Sequence, residues 1–316
     1  MTLARFQRWT LSFALAWLVV APPAALAVGW YDNFNDGNAE DGSPVTWTYN
    51  DLGALPGIHS AATGDYLLSA PGDDNDDSSL IATVNFNFEA DTYVRTGAVV
   101  LPGPNEGEVG GTLGVFARYD PSSISGYTAI LSNGGHLQLL KVTGGAPESL
   151  NDMNGLEITT AGDALIQLDV IGDLLNVYLW RNGQPKPVEP TLTANDSTYM
   201  SGRAGIIHNE NDDNTIGVFR FATASDAPLA DLVAGDYDYD RDVDGADFLL
   251  WQRDFGSTTN LAADGNGDLV VDGLDLDVWK ASFGASATAA IAAVPEPSSL
   301  VLLAAAALGA CFRKRR

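Results

Sequence analysis

The sequence of 316 residues contains a single cysteine, Cys311, so an intramolecular disulfide is excluded. Histidine is also scarce, and His59, His136 and His208 lie far apart along the chain. Neither an HExxH nor a GxSxG pattern occurs, which removes the usual sequence signals for a zinc hydrolase and for the serine nucleophile of an α/β-hydrolase. The sequence therefore favours a protein that is not an enzyme.

Positive charge is the second shortage, with 16 Lys and Arg residues against 41 Asp and Glu residues. Six of the basic residues lie in the first 27 positions or in residues 294–316, and of the acidic residues only Glu296 lies in those end regions. The remaining body has 10 basic and 40 acidic residues, a formal charge of −30. Such a body repels nucleic acid and anionic membranes, and it suits neutral partners such as uncharged polysaccharide.

The first 27 residues have the features of a secretory signal peptide. Arg5 and Arg8 precede an apolar run over residues 11–20, and Ala25-Leu26-Ala27 has the small residues of a cleavage site. The run is too short for a membrane-spanning helix. We therefore expect an exported protein whose mature chain begins near Val28.

Residues 28–226 have the pattern of one β-sandwich domain, with short alternating strands between turn signals and no long helical stretch. The turn pairs Gly172-Asp173 and Asn182-Gly183 predict tight turns. We expect a mainly β fold, with two antiparallel sheets of jelly-roll type. The predicted strands are Val45–Tyr49, Leu80–Phe88, Thr92–Val100, Thr112–Tyr119, Tyr127–Leu131, His136–Val142, Ala164–Ile171 and Leu174–Trp180.

Three segments of this domain carry a family resemblance: residues 31–37 (YDNFNDG), residues 114–121 (GVFARYDP) and residues 201–206 (SGRAGI) with 218–221 (VFRF). They resemble concanavalin A-like lectin/glucanase domains of the LamG-like group. The resemblance implies a sandwich that usually binds glycans and sometimes hydrolyses them. The Glu-x-Asp-x-x-Glu pattern of the glucanases is absent, and the nearest pair, Glu106 and Glu108, lies in a Gly/Pro-rich segment typical of a solvated loop.

Sugar binding requires exposed aromatic faces, although most aromatic residues of a sandwich belong to its core. Trp180 precedes the Asn182-Gly183 turn and is expected to be partly exposed, so it is the first candidate sugar contact, followed by Tyr119. Acidic loop clusters at residues 73–77 and 212–214, or Asp32 with Asp36, are candidates for a further calcium ion in the sandwich, although solvated loops have the same composition.

Residues 235–284 contain one pattern twice, separated by 28 positions. Each copy has oxygen-bearing side chains at positions 1, 3, 5, 9 and 12 of a twelve-residue loop, which is the spacing that surrounds a calcium ion. Position 7 would contribute a backbone carbonyl, and position 12 a bidentate carboxylate. The predicted ligands of two ions are Asp236, Asp238, Asp240, Asp242, Asp244 and Asp247 in the first loop and Asp264, Asn266, Asp268, Val270, Asp272 and Asp275 in the second.

Apolar residues follow each loop at helical spacing and in the same 28-residue register. Phe248, Trp251 and Phe255 correspond to Leu276, Trp279 and Phe283, and a glycine then marks each helix end. A solvated acidic linker would not repeat aromatic residues in register, so we expect two calcium loop-helix units that pack together. Position 6 normally requires glycine, but it is Arg241 and Leu269 here, which predicts about 1 kcal/mol of strain in each loop.

This pair of units resembles the type I dockerin repeat, which implies a small all-α calcium-binding domain and a cohesin-like partner. Dockerins recognise that partner through positions 10 and 11, which are often hydroxyl-bearing; here they are Gly245-Ala246 and Gly273-Leu274. Residues 227–234 and 285–293 are expected to be linkers on either side of the pair.

The last segment, residues 294–316, contains Pro295-Glu296-Pro297, an apolar run and a basic end, Arg313–Arg316. These three elements in this order resemble the PEP-CTERM sorting signal, which implies processing by an exosortase. The apolar run is expected to form a C-terminal hydrophobic helix, but this helix is shorter than the ~20 residues that a stable membrane span requires. A cleaved sorting signal is therefore favoured over a permanent transmembrane anchor.

The sequence as a whole predicts an exported cell-surface or extracellular-matrix protein, at least transiently anchored to a membrane. The sandwich is expected to bind polysaccharide, and the calcium units to act as a docking module or a rigid spacer. Two alternatives remain at this point: a polysaccharide hydrolase whose carboxylates do not match a known pattern, and a purely structural matrix protein.

Overall fold

The computed structural model describes residues 27–40, 45–52, 57–69, 78–101, 111–160, 164–210 and 215–286. Fifteen strands and two helices are formed within these ranges. The strands are β1 Gly29–Asp32, β2 Trp47–Asp51, β3 Ile58–Ser60, β4 Tyr66–Ser69, β5 Ser78–Phe88, β6 Thr92–Leu101, β7 Thr112–Asp120, β8 Ser125–Ser132, β9 Leu137–Thr143, β10 Ala146–Met153, β11 Ala164–Ile171, β12 Leu174–Arg181, β13 Leu192–Asn195, β14 Gly202–Glu210 and β15 Ile216–Ser225. The helices are α1 Gly245–Asp254 and α2 Gly273–Ser282.

The strands form two antiparallel sheets, as predicted. Sheet A has the order β13-β12-β11-β6-β15-β4-β3, with β1 also paired to β15, and sheet B has the order β10-β9-β8-β7-β14-β5-β2. Every strand expected from the alternation of polar and apolar residues is present to within a few residues. The turn at Gly172 joins β11 to β12 with Ile171 opposite Leu174, as the sequence predicts.

The hydrophobic core lies between the two sheets because each strand alternates its side chains between two faces. In β11, Ile166, Leu168 and Val170 are fully buried in this core, whereas Leu165 belongs to a separate cluster on the outer face of sheet A. Arg118 is also fully buried, and its two terminal nitrogens donate to four backbone carbonyls, while its Nε–H has no partner among the described residues.

The two helices follow the sandwich in one compact unit with it. Each helix has ten residues and begins at an aspartate N-cap, Asp244 or Asp272, with a capping box. Gly256 and Gly284 follow the helices with φ of 86° and 82°, as expected at helix ends. Within the described ranges, neither helix has the length and apolar character needed to cross a bilayer.

Candidate calcium sites and ligand groove

In the first predicted calcium loop, the position-1 carboxylate organises the backbone. Asp236 accepts hydrogen bonds from the amides of Asp240 (3.1 Å) and Arg241 (3.0 Å) and is buried. Carboxylate oxygens of Asp236, Asp238 and Asp240 all lie within 4.8 Å of one another. The chain therefore turns around a shared point towards which three acidic side chains contribute oxygen atoms.

The second loop repeats this arrangement 28 positions later. Asp264 is buried and accepts from the amides of Asp268 (3.2 Å) and Leu269 (2.8 Å), the same two loop positions as in the first loop. The amide of Asn266 donates to the position-12 carboxylate, Asp275, at 3.1 Å. The two loops thus have the same backbone conformation around position 1, although they differ at most positions that are not acidic.

The position-12 aspartates, Asp247 and Asp275, are fully buried and connect the beginning of each loop to its helix. Asp247 accepts from the amides of Tyr237 (2.6 Å) and Asp244 (2.8 Å). Asp275 accepts in the same way from the amide of Asp272 (2.6 Å). Both carboxylates are therefore held in place by backbone donors, as a bidentate ligand would need to be.

Position 6 has the strained backbone that the sequence predicts. Arg241 has φ of 81° and Leu269 has φ of 71°, in the left-handed region that favours glycine. Position 9 has an additional role that the sequence analysis did not assign. Asp244 and Asp272 cap the two helices, each accepting from the amide two residues further on, at 2.6 and 2.7 Å.

The loops contain more negative charge than their surroundings can stabilise. Burial, together with the Asp247 carboxylate and its acidic neighbours, raises the pKa of Asp236 to about 8. Burial and the adjacent Asp240 raise the pKa of Asp238 to about 7. Burial also raises the pKa values of Asp247, Asp264 and Asp275. Hard oxygen donors with uncompensated charge fit a divalent cation such as calcium.

The two units pack through a reciprocal pair of tryptophan hydrogen bonds. The indole of Trp251 in α1 donates to the Asp272 carbonyl at 2.7 Å, and that of Trp279 in α2 donates to the Asp244 carbonyl at 2.8 Å. Each helix thus holds the other unit's loop at position 9. The two units pack together as expected, with the Phe248 ring 5.3 Å from that of Trp279. The predicted stripes are only partly buried, however, because Phe255 and Phe283, the last residue of each stripe, are 59 % and 61 % exposed.

The loops also dock on the outer face of sheet A. Asn35 donates to the Asp238 carbonyl at 3.0 Å, and Tyr31 donates to the Tyr239 carbonyl. Gln184 donates to the Asn266 carbonyl of the second loop, and Asn182 donates to the Ala262 carbonyl, two residues before that loop, at 3.1 Å. Gly183 has φ of 75°, and a β-carbon there would lie 2.6 Å from the Asp264 carbonyl oxygen, so glycine is required at this contact.

This docking changes the status of the two candidate sugar contacts. Trp180 is 5 % exposed and packs with Leu165, Phe221 and Tyr239, the last of which belongs to the first predicted calcium loop, so the predicted partial exposure is wrong. Tyr119 is 1 % exposed, and its hydroxyl accepts from Asn50 at 3.1 Å. Neither ring presents its face to solvent, because each packs against neighbouring side chains.

The outer face of sheet B has a groove of about 440 Å³ instead. Phe116, Ile130 and Leu140 form part of its apolar floor. Thr112 Oγ1 and Asn209 Oδ1, at the residues where β7 and β14 pair, are buried without a hydrogen-bond partner among the described residues. The other polar lining residues are Ser79, Thr128, Gln138 and Ser149, and none of the described lining residues is charged.

The remaining candidates are outside this groove or outside the described ranges. Asp32 accepts from the amide of Phe34 and the indole of Trp47, both at 2.8 Å, so its oxygens serve the core. Asp36 accepts from the amide of Asn38. Outside the described residues lie the Glu106–Glu108 pair, the acidic clusters at 73–77 and 212–214, all but the last residue of the signal peptide predicted over residues 1–27, and the tail with Pro295-Glu296-Pro297.

Comparison with known families identifies the C-terminal segment. The model described as the PEP-CTERM protein-sorting motif matches residues 293–316, which confirms the sorting signal expected from Pro295-Glu296-Pro297 and the basic end. The motif indicates an exported protein. No curated protein sequence matches the chain significantly. The resemblances of the sandwich to LamG-like domains and of the repeats to dockerins remain predictions.

Among solved structures, the chain is similar to several β-sandwich proteins at low identity. The carbohydrate-binding module CBM66 from Bacillus subtilis has 18 % identity and a TM-score of 0.39, with 55 % of this chain and 91 % of that chain covered. The legume lectin-like domain from Entamoeba histolytica has 12 % identity and a TM-score of 0.40, with 56 % and 88 % covered. The VIP36 exoplasmic/lumenal domain in its Ca²⁺/Man3GlcNAc-bound form has 8 % identity and a TM-score of 0.43, with 63 % and 92 % covered.

Proposed function

We propose that this exported protein acts at the cell surface or in the extracellular matrix, and that its sandwich binds neutral polysaccharide in the groove of sheet B. The observation that carries the proposal is the lack of charged side chains among the described residues of the groove, in a chain with a formal charge of −25. An apolar floor with hydroxyl and amide groups around it suits a pyranose, which has apolar C–H faces and hydroxyl groups at its edge.

The same proposal assigns two calcium ions to the repeat pair. The ligands would be the oxygen atoms of positions 1, 3, 5 and 12, with the position-7 carbonyls of Asp242 and Val270. Calcium would supply the positive charge that the buried aspartates lack, and it would keep the loops in the shape that sheet A contacts. The module then acts as a calcium-dependent brace of the sandwich, and exosortase processing of the tail would follow from the sorting motif.

Co-sedimentation of the exported protein with a panel of insoluble neutral polysaccharides, with reducing ends assayed in each supernatant, tests the proposal. We expect binding without sugar release. Released sugar would favour the hydrolase, and failure to bind any member of the panel would favour a structural matrix protein. Capture of a cohesin-like module would instead indicate that the repeats act in docking.

A matched pair of variants locates the binding site. Gln138 lies in the groove, so Gln138→Glu introduces one negative charge with almost no change of shape, and polysaccharide retention is expected to fall about tenfold. Gln252→Glu makes the same change on the exposed surface of α1 and is expected to leave retention unchanged. Equal retention by both variants would place the sugar elsewhere.

A further inference from the structure

A second cavity lies between the outer face of sheet A and the repeat pair, on the opposite side of the sandwich from the groove. Its volume is about 360 Å³, within the range of small-molecule sites. The sandwich contributes Arg95, Trp180, Asn182, Gln184 and Lys186 to its lining, and the calcium loops close the other side. Two of these five side chains are cations, in a chain that has few.

Arg95 is the unusual member of this lining. It is 4 % exposed, and in the part of the chain that the structure describes, no carboxylate lies within ion-pair distance of it. Its guanidinium donates to the Ala230 carbonyl at 2.8 Å and to Gln167 Oε1 at 3.5 Å, and its Nε–H has no partner. A buried cation with unused donors is unfavourable unless an anion accompanies it.

Arg118 shows what a purely structural arginine looks like in the same protein. It is 1 % exposed, but its two terminal nitrogens donate to four carbonyls, those of Gly172, Tyr199, Ala90 and Val170. It lines none of the cavities described here. The Nε–H of both arginines has no partner among the described residues, so the difference lies in the terminal nitrogens. Those of Arg118 make four hydrogen bonds to backbone carbonyls, whereas those of Arg95 make two hydrogen bonds, at the wall of a cavity.

Lys186 supplies a second cation to the same wall. Its ammonium lies 3.8 Å above the ring of Tyr178 and 3.9 Å from Asp169 Oδ2, a long ion pair. Asp231 and Asp236 also line the cavity, but neither forms an ion pair with Arg95 or Lys186 among the described residues. Asp236 belongs to the first calcium loop, where its carboxylate is directed to the loop amides.

We propose that this interface cavity binds the carboxylate of a uronate sugar, with Arg95 and Lys186 as the cationic contacts. A planar carboxylate accepts from a guanidinium more strongly than a neutral oxygen does. The side-chain nitrogen of Asn182 donates to the carbonyls of Leu261 and Ala262, just before the second loop, and that of Gln184 donates to the Asn266 carbonyl within it. Their amide oxygens are therefore left to accept from sugar hydroxyls. This site is independent of the groove on sheet B, so either one binds sugar without the other.

The test is calorimetric titration of the exported protein, in millimolar calcium, with glucuronate, and with acetate and glucose as control ligands. We expect glucuronate to bind at one site and glucose to show no binding there. Arg95→Gln and Lys186→Gln are each expected to weaken glucuronate binding about tenfold, because each removes a charge-assisted contact. Lys280→Gln, on the exposed surface of α2, is the matched control and is expected to bind as the unmodified protein does.

The outcomes separate the proposal from its alternatives. Lys186→Gln keeps the test decisive if Arg95→Gln does not fold, because the Lys186 side chain, 24 % exposed, lies at the cavity wall and not in the core. Glucuronate binding that neither variant weakens, or the absence of glucuronate binding, would overturn the proposal. Acetate binding as tight as glucuronate binding would overturn the assignment to a sugar. Loss of polysaccharide retention in the groove variant Gln138→Glu, with glucuronate binding intact, would support two separate sites.

Discussion

The guanidinium of Arg241 lies 3.6 Å above the ring of Tyr31, so a strained residue of the first calcium loop stacks on the first strand of the sandwich. The contact gives a reason for a non-glycine residue at position 6. A cation over an aromatic ring contributes about 0.5–1 kcal/mol at a partly exposed site, similar to the ~1 kcal/mol cost of the left-handed backbone. Leu269, at the equivalent position of the second loop, has no such partner ring among the described contacts.

Glycine substitutions at the two positions should therefore differ. Leu269→Gly removes the strain and loses little packing, since Leu269 is 39 % exposed, so it is expected to stabilise the calcium-bound protein by up to about 1 kcal/mol. Arg241→Gly also removes strain but loses the stacking on Tyr31, so its net effect is expected to be close to zero or destabilising. Thermal unfolding in calcium measures both, and an equal gain for the two variants would contradict the role of Tyr31.

Loss of either tryptophan hydrogen bond is expected to destabilise the repeat pair by a similar amount. Trp251→Phe removes the bond to the Asp272 carbonyl, and Trp279→Phe removes the bond to the Asp244 carbonyl. Each variant is expected to lose about 0.5–1.5 kcal/mol, because a carbonyl loses its partner while an aromatic ring remains. Chemical unfolding in calcium measures this. A large difference between the two variants would show that the reciprocal bonds are not equivalent.

Calcium titration by calorimetry is expected to give two ions per chain, and one ion for Asp247→Asn or Asp275→Asn. Each variant keeps the side-chain shape but loses the charge of the position-12 ligand. Asp277→Asn, which changes an exposed aspartate of α2 outside the loops, is the control and is expected to retain both ions. At calcium concentrations 100-fold above Kd, each occupied site adds about 2.7 kcal/mol of stability. Two ions bound to Asp275→Asn would exclude the second loop as assigned.

His208 predicts a loss of stability in acid. It is fully buried in β14, its Nδ1 lies 2.9 Å from the Thr112 carbonyl, and burial lowers its pKa to about 4. The unfolded chain takes up this proton near the ordinary histidine pKa of 6.5 and the folded chain only near 4. The free energy of unfolding should therefore fall between these two pH values as pH decreases, by about 1.4 kcal/mol per pH unit.

Comparison with His208→Gln isolates this effect from the aspartates of the calcium loops. The variant is expected to be less stable at pH 7, because the buried site is altered, and to lose less stability than the unmodified protein between pH 6.5 and 4. Denaturant unfolding at fixed calcium across this range gives the two slopes. Identical slopes would mean that another group accounts for the acid sensitivity.

Much of the local structure was predictable because it depends on short-range patterns. Two-residue alternation gives the strands, and the 28-residue repeat gives the register of the two loops and the left-handed backbone at Arg241 and Leu269. The capping role of Asp244 and Asp272 was found only in the structure. The sorting motif at residues 293–316 was also predictable from the sequence, because it is recognised by the order of three adjacent elements. These features need no knowledge of distant contacts.

The wrong prediction for the exposure of Trp180 shows what short-range sequence patterns do not determine. Alternation places Trp180 on an outer face of a strand, but the Tyr239 ring that packs with it lies 59 positions further along the chain. Arg95 acquires its cavity in the same way, from a segment 135 or more residues away, beginning at Ala230. Sequence alone determined the two sheets, the two loops and the C-terminal sorting motif. Tertiary packing decided that the loops cover the outer face of sheet A and that the outer face of sheet B keeps the uncharged groove. Side-chain alternation defines the two faces of a strand, but it does not determine which face another part of the chain will bury.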